Sequence, residues 1–192
     1  MSVRIRAQLE GGAFKGISYA MQASYFVRIG IFLYNGLIGI VIDLDSNSLP
    51  FLFSCAFFGN IIFLAGLYFE NNTVRAKKVR ASFANAKKEK SVLGFDTWFL
   101  YLAQFFFQAA WLAPLFANNI SVGMKGTALA MGSFINGFSG FINAFRLEPI
   151  LRNCSDDKEK LYFLYEEVRA VKKNIAYFSI LLSSCLYIVY IF

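Results

Sequence analysis

Apolar residues in this chain gather into five long runs, over 17–44, 49–69, 97–116, 126–147 and 174–192, and most of the charge lies between them. A helix needs about 20 apolar residues to cross the hydrocarbon core of a bilayer. The pattern therefore predicts an all-α fold, a polytopic transmembrane helix bundle with five spans, built as one domain over 1–192. The first run, 28 residues long, is long enough to tilt. Pro50 opens the second, a position where proline is tolerated. Residues Met1 to Gly12 are polar and lack an apolar h-region, so no cleavable signal peptide is expected.

Between the fourth and fifth runs, Leu161, Leu164, Tyr165 and Val168 follow helical spacing, with Glu159, Lys160, Glu166 and Glu167 among them. This predicts an amphipathic loop helix lying on the membrane or on the first long loop.

The basic residues sharpen the topology. Of 19 Lys and Arg, 17 fall in the N-terminal stretch and the two long loops, 70–96 and 146–173. The positive-inside rule would put these in the cytoplasm, with the N-terminus, and the C-terminus outside. A net charge of +7 often signals nucleic-acid binding. Here the charges border apolar runs, so contact with anionic lipid headgroups is expected instead, and nucleic acid is not an expected partner.

Composition agrees with a membrane setting. The chain is 57% hydrophobic and 16% charged, against about 25% charged in ordinary soluble domains. There are three cysteines, with no CxxC spacing, and no histidine. A disulfide framework or metal site is not expected, and the commonest general base is missing. No Ser/His/Asp set, Gly-rich phosphate loop or carboxylate pair occurs within the runs. The expectation is a binding or transport protein, not an enzyme, with no cofactor.

Arg28 is the most informative position. It sits about mid-depth in the first run, where a cation costs a few kcal/mol, and the other runs offer it no carboxylate. Its counter-ion could be an incoming anion such as a lipid phosphate, which guanidinium binds through two parallel hydrogen bonds. Backbone carbonyls or snorkelling to the interface are the alternative. Ser24, Arg28, Asn35 and Gly39 share one face of that run.

In the fourth run, Gly126, Ala130, Ser133, Gly137, Gly140 and Ala144 form a small-residue stripe suited to close helix packing. Beside it lies a polar edge of Gly132, Asn136, Ser139 and Asn143. A third stripe, Phe134, Phe138, Phe141 and Phe145, is expected to face lipid. The third run sets Tyr101, Gln104, Gln108 and Trp111 on one side, suited to sugar or amide groups and somewhat better to interhelical hydrogen bonds. Asn60 is a further polar residue at depth.

At these residues the chain resembles the alternate lipid II flippase family (Amj type) of bacterial inner membranes. The likeness rests on Ser2-Val3-Arg4, Gly11-Gly12, Ser18, Arg28 and Asn35, and later on Gly126-Thr127-Ala128, Asn136-Gly137 and Glu148-Pro149. The resemblance implies that the family's first transmembrane helix is missing here, which would leave an open face that a second copy could fill as a homo-oligomer. The resemblance implies translocation of an undecaprenyl-pyrophosphate-linked sugar, a peptidoglycan precursor such as lipid II or a related glycan, across the inner membrane. It implies pyrophosphate contact by Arg4 and Arg28, and a headgroup path lined by Asn35, Asn136 and Asn143. The expected binding set is thus Arg4, Ser24, Arg28, Asn35, Gln104, Gln108, Asn136 and Asn143, with membrane lipids as further partners. The competing readings are a non-catalytic scaffold subunit of a cell-envelope synthesis complex and, third, an enzyme acting on a lipid headgroup.

Overall fold

The structure is a computed structural model; it describes residues 2–12, 16–22, 25, 30, 49–72, 81–83, 92–120 and 125–191. Six α-helices follow one another among the described residues: α1 (Ser2–Gly11), α2 (Leu49–Asn72), α3 (Thr97–Ile120), α4 (Lys125–Ile142), α5 (Glu148–Asn153) and α6 (Lys158–Ile191). A 3-10 turn, Gly94–Asp96, leads into α3, and a π turn, Asn143–Leu147, joins α4 to α5. The main pairings are α3 with α4 and α2 with α6; α1 and α3 also pack on α6.

The expectation of five spans is corrected. Among the described residues no helix is long and apolar enough to cross a membrane. Polar residues recur inside every apolar stretch at intervals well short of the roughly 20 residues a crossing needs. Asn60 divides α2, which ends in Glu70, Asn71 and Asn72. Gln104 and Gln108 divide α3, which ends near Asn118 and Asn119. With 18 residues, α4 reaches only about 27 Å and carries Lys125 and Asn136. The sequence treats the loop helix and the fifth run as separate, yet they form one 34-residue helix, α6, whose first half is charged. Most of the first run, with the turn from Asp43 to Ser48, lies outside the described residues.

Much of the core sits where the sequence suggested loops, and the rest at the ends of the third and fourth runs. Ile5 of α1, Leu93, Leu100 and Ala103 around the start of α3, Leu147 and Leu151 near α5, and Leu161, Leu164, Tyr165, Val168 and Val171 of α6 form one buried cluster. The amphipathic face of α6 is therefore spent on the protein interior and not on a membrane surface. Of the two surfaces expected for it, the first long loop is the one it meets. Phe83 of that loop stacks on Tyr162, with centroids 4.9 Å apart.

A carboxylate fixes the loop to α6. Glu167 Oε1 accepts from the Val92 N–H at 2.9 Å, and Oε2 accepts from Leu93 N–H at 3.1 Å. Both donors precede the 3-10 turn that opens α3, where unpaired N–H groups and a positive dipole end favour an anion. At its own start α6 is capped by Asp157, whose Oδ1 accepts from the N–H groups of Glu159 and Lys160 at 3.0 and 3.1 Å. That is the N-cap geometry that aspartate serves well.

Elsewhere, α1 stops at Gly12, which has φ of +84° and donates to Gln8 O at 2.9 Å. Glycine adopts this left-handed conformation without a Cβ clash. The chain then turns back at Gly16, where a Cβ would come within 2.9 Å of the Arg4 carbonyl oxygen and collide with Gln8. The absent side chain lets the following helical segment lie against α1.

The stripes of α4 are also redistributed. Gly132, Ser139 and Ile142 are buried, so the polar edge faces the protein. A Cβ at Gly137 or Gly140 would meet nothing within 4 Å among the described residues, and Ala130, Ser133 and Ala144 are exposed. The small-residue stripe is thus not the packing face expected of it. Phe134, Phe138, Phe141 and Phe145 are exposed, as are Phe58, Ile62, Leu181 and Val189 on α2 and α6.

Two predictions follow from the caps. Glu167→Ala removes the acceptor for two part-buried N–H groups, and should lower the unfolding free energy by about 1–3 kcal/mol. Denaturant unfolding followed by circular dichroism reads this directly. Backbone N–H donors, led by that of Lys160, hold the Asp157 carboxyl below its ordinary 3.8. A depressed carboxylate pKa stabilises the fold above the unfolded value and loses that contribution as pH falls through the folded one. Asp157→Ala should therefore melt earlier than wild type at neutral pH. The gap should close as pH drops below 3.8.

Candidate functional site: a cationic cavity at the π turn

One carboxylate gathers the two ends of the sequence. Glu148 follows the π turn, and Pro149 pre-sets the first turn of α5. Oε1 of Glu148 accepts a charge-assisted hydrogen bond from Arg4 Nη1 of α1, across 144 positions of sequence. Arg152, one turn along α5, approaches the same oxygen at 3.7 Å from a largely solvent-exposed position. Arg4 itself is mostly covered, and its Nε is buried with no hydrogen-bond partner among the described residues. A guanidinium has five N–H donors in a rigid fork, so this arrangement leaves Arg4 capacity for another acceptor.

The π turn gives the site its second wall. The Glu148 N–H bonds to Asn143 O, five residues back. Such widened turns disturb the regular helical ladder and recur at functional positions. Asn143, the first residue of the turn, donates its side-chain amide to Ser139 O at 2.8 Å, with Ser139 Oγ 3.5 Å away. This local bond orients a primary amide at the mouth of the turn. Across from it α3 presents Gln104 and Phe107.

These groups enclose a cavity of about 340 Å³ lined by Arg4, Ala20, Gln104, Phe107, Ser139, Asn143, Leu147, Glu148, Leu151 and Lys172. Among the described residues two cations and one carboxylate border it, with amides and a hydroxyl for neutral polar contacts. An anion of modest size is the ligand class this balance favours. The amides suit hydroxyl or acetamido groups attached to it. Other polar groups nearby are held in place by their own contacts. Arg146 lies over the Phe99 ring at 4.7 Å, and the Asn174 amide donates to Tyr101 Oη at 2.8 Å, tying α6 to α3.

Of the residues expected from the sequence, Arg4, Gln104 and Asn143 come together in this cavity. Gln108 and Asn136 are half-buried one to two turns further along α3 and α4 and do not line it. Ser24, Arg28 and Asn35 lie outside the described residues. Glu148, Lys172, Ser139 and Phe107 were not among the expected binding residues. Glu148 had a signal, the acid-Pro pair after an apolar run, and Ser139 stood on the polar edge with Asn143. Lys172 had none beyond its charge.

No buried thiol competes as a reactive centre here. Cys154 lies in the core, and burial pushes its thiol above the ordinary value, with Lys160 opposing and Asp157 and Glu167 adding to the rise. A protonated, enclosed thiol is a poor nucleophile. Cys55 and Cys185 are exposed free thiols.

A scan against protein-family models, a search of curated proteins and a search of solved structures find no match to this chain, so the flippase likeness stands on its short motifs alone.

Proposed function

We propose that this chain binds the phosphate-bearing headgroup of a lipid-linked glycan, of the polyprenyl-pyrophosphate kind, and so takes part in moving that lipid at the bacterial inner membrane. The observation that carries the proposal is the under-bonded Arg4 guanidinium at a cavity shared with Lys172. Pyrophosphate accepts parallel hydrogen bonds from a guanidinium fork, and lysine adds a point charge. Gln104, Asn143 and Ser139 supply donors and acceptors for sugar hydroxyls. Exposed Phe138, Phe141 and Phe145 lie on α4 and the π turn, alongside Asn143, and offer apolar surface for a polyprenyl tail. The resemblance supports the same ligand class, because two of its motifs, Ser2-Val3-Arg4 and Glu148-Pro149, supply the paired residues Arg4 and Glu148.

Chemically, the protein holds and shields the headgroup and makes no covalent change to it. Arg4 would exchange part of its bond to Glu148 for phosphate oxygens, leaving Glu148 to Arg152. Such exchange makes binding sensitive to salt, since all participants are charged.

The scaffold reading draws on one observation, the exposed apolar face of α4, which would suit an adjoining membrane subunit. The same variants separate the two. With farnesyl pyrophosphate as a short probe, Arg4→Gln and Lys172→Gln should each weaken binding about tenfold, and Glu148→Gln should not abolish it. In vesicles loaded with an undecaprenyl-pyrophosphate disaccharide, Arg4→Gln should lose translocation while circular dichroism stays that of wild type. Unchanged binding in Arg4→Gln would remove this cavity as the phosphate site. Full translocation with weakened probe binding would favour the scaffold role.

A further inference from the structure

On the other side of α6 lies a second cavity, of about 650 Å³, between α6 and α2. Its polar end is built from Arg169, Lys173 and Glu166, and its wall from the apolar residues of α2 that include Leu64 and Tyr68. Arg169 and Lys173 are one helical turn apart and share a face. The volume lies within the range of small-molecule pockets.

Arg169 is the anomaly. Its side chain is only 16% exposed, and the fork is poorly satisfied. Nη2 reaches Leu67 O at 3.5 Å, the outer limit of a hydrogen bond. Nη1 stands 3.9 Å from Glu166 Oε1, too far for a hydrogen bond. Nε is buried with no partner among the described residues. A mostly desolvated cation with stretched or missing bonds is costly, and an acceptor entering the cavity would relieve that cost. Lys173 stands beside it, with Nζ 5.7 Å from the centre of the Tyr177 ring.

We propose that this cavity is a site for a long-chain carboxylate, with the head on Arg169 and Lys173 and the chain along α2. Among the described lining residues two cations, Arg169 and Lys173, face one carboxylate, Glu166. A carboxylate brings a single negative charge to the pair, and so meets less repulsion from Glu166 than a doubly charged phosphate would. A planar carboxylate also matches the guanidinium fork. The apolar wall then takes the alkyl chain out of water, at roughly 0.8 kcal/mol per CH₂ fully buried. This site is separate from the π-turn cavity, and the two stand or fall independently.

The test uses the full chain in an uncharged maltoside detergent with a diazirine-bearing oleate, and peptide mapping after photolysis. Label is expected on α2 between 61 and 68. Unlabelled oleate should suppress it at least tenfold more effectively than oleyl alcohol, which has the same chain and no charge. Arg169→Gln should cut labelling about tenfold. Leu64→Trp, which fills the cavity and keeps both cations, should do the same, while Arg4→Gln should leave labelling intact. Equal competition by oleyl alcohol overturns the proposal, as does undiminished labelling in a folded Arg169→Gln or Leu64→Trp. Should either variant fail to fold, the oleate-against-alcohol comparison on the wild-type chain decides alone.

Discussion

The contact between Arg4 and Glu148 joins the N-terminal helix to the segment that follows the π turn. Besides it, α1 is held by the buried Ile5, Ala7 and Gln8 and by Leu9, which packs against the core. In that contact a guanidinium and a carboxylate stand beside the buried Leu147 and Leu151, where their mutual attraction is less screened than at a free surface. The pair also sets the shape of the cavity. It holds Arg4 against the mouth of the π turn, so the cation and the Asn143 amide face a common space. A partly buried pair of this kind adds little net stability compared with an apolar contact, but losing one partner strands the other. Its value here is geometric, because it fixes where the positive charge stands.

The helices were largely legible in the sequence and their surroundings were not. Runs of apolar residues near 49–69, 97–116 and 126–147 coincide with α2, α3 and α4 because hydrophobic side chains without strand alternation fold as helices in either environment. Periodicity cannot say what covers a hydrophobic face. Leu161, Leu164, Tyr165 and Val168 illustrate this: their spacing identified the helix and its apolar face, yet that face packs under α1 and the start of α3. Nor could spacing join that helix to the run after Asn174. The charged residues from Lys158 to Lys173 read as an interruption, although Lys, Glu and Arg are good helix formers.

The site was legible in part for a related reason. Arg4, Gln104 and Asn143 stood out as polar residues in apolar or basic surroundings, and those are the ones that must find partners when buried. Their convergence could not be read, because it depends on a five-residue π turn that moves Asn143 and Glu148 relative to a regular helix. Lys172 was invisible for the opposite reason. In a stretch with six other basic residues it carried no distinguishing mark, and only the packing of α6 against α3 and α1 turns it toward the cavity.

The same packing explains why α6 carries so much positive charge on one turn. Arg169, Lys172 and Lys173 are close enough on a helix to repel one another, and in an isolated helix such neighbours cost a few tenths of a kcal/mol each. Helical rotation separates them: Lys172 lines the cavity at the π turn, and Arg169 with Lys173 lines the one against α2. Among the described residues each cavity is lined by a single carboxylate, Glu148 or Glu166, and two cations. Arg4 and Arg169 each keep a buried Nε with no hydrogen-bond partner among the described residues, beside apolar walls. An under-bonded guanidinium next to hydrocarbon-like surface is relieved when an amphiphilic anion covers both features at once. One helix, by its rotation alone, therefore brings basic side chains and apolar walls together on two sides from a single basic segment.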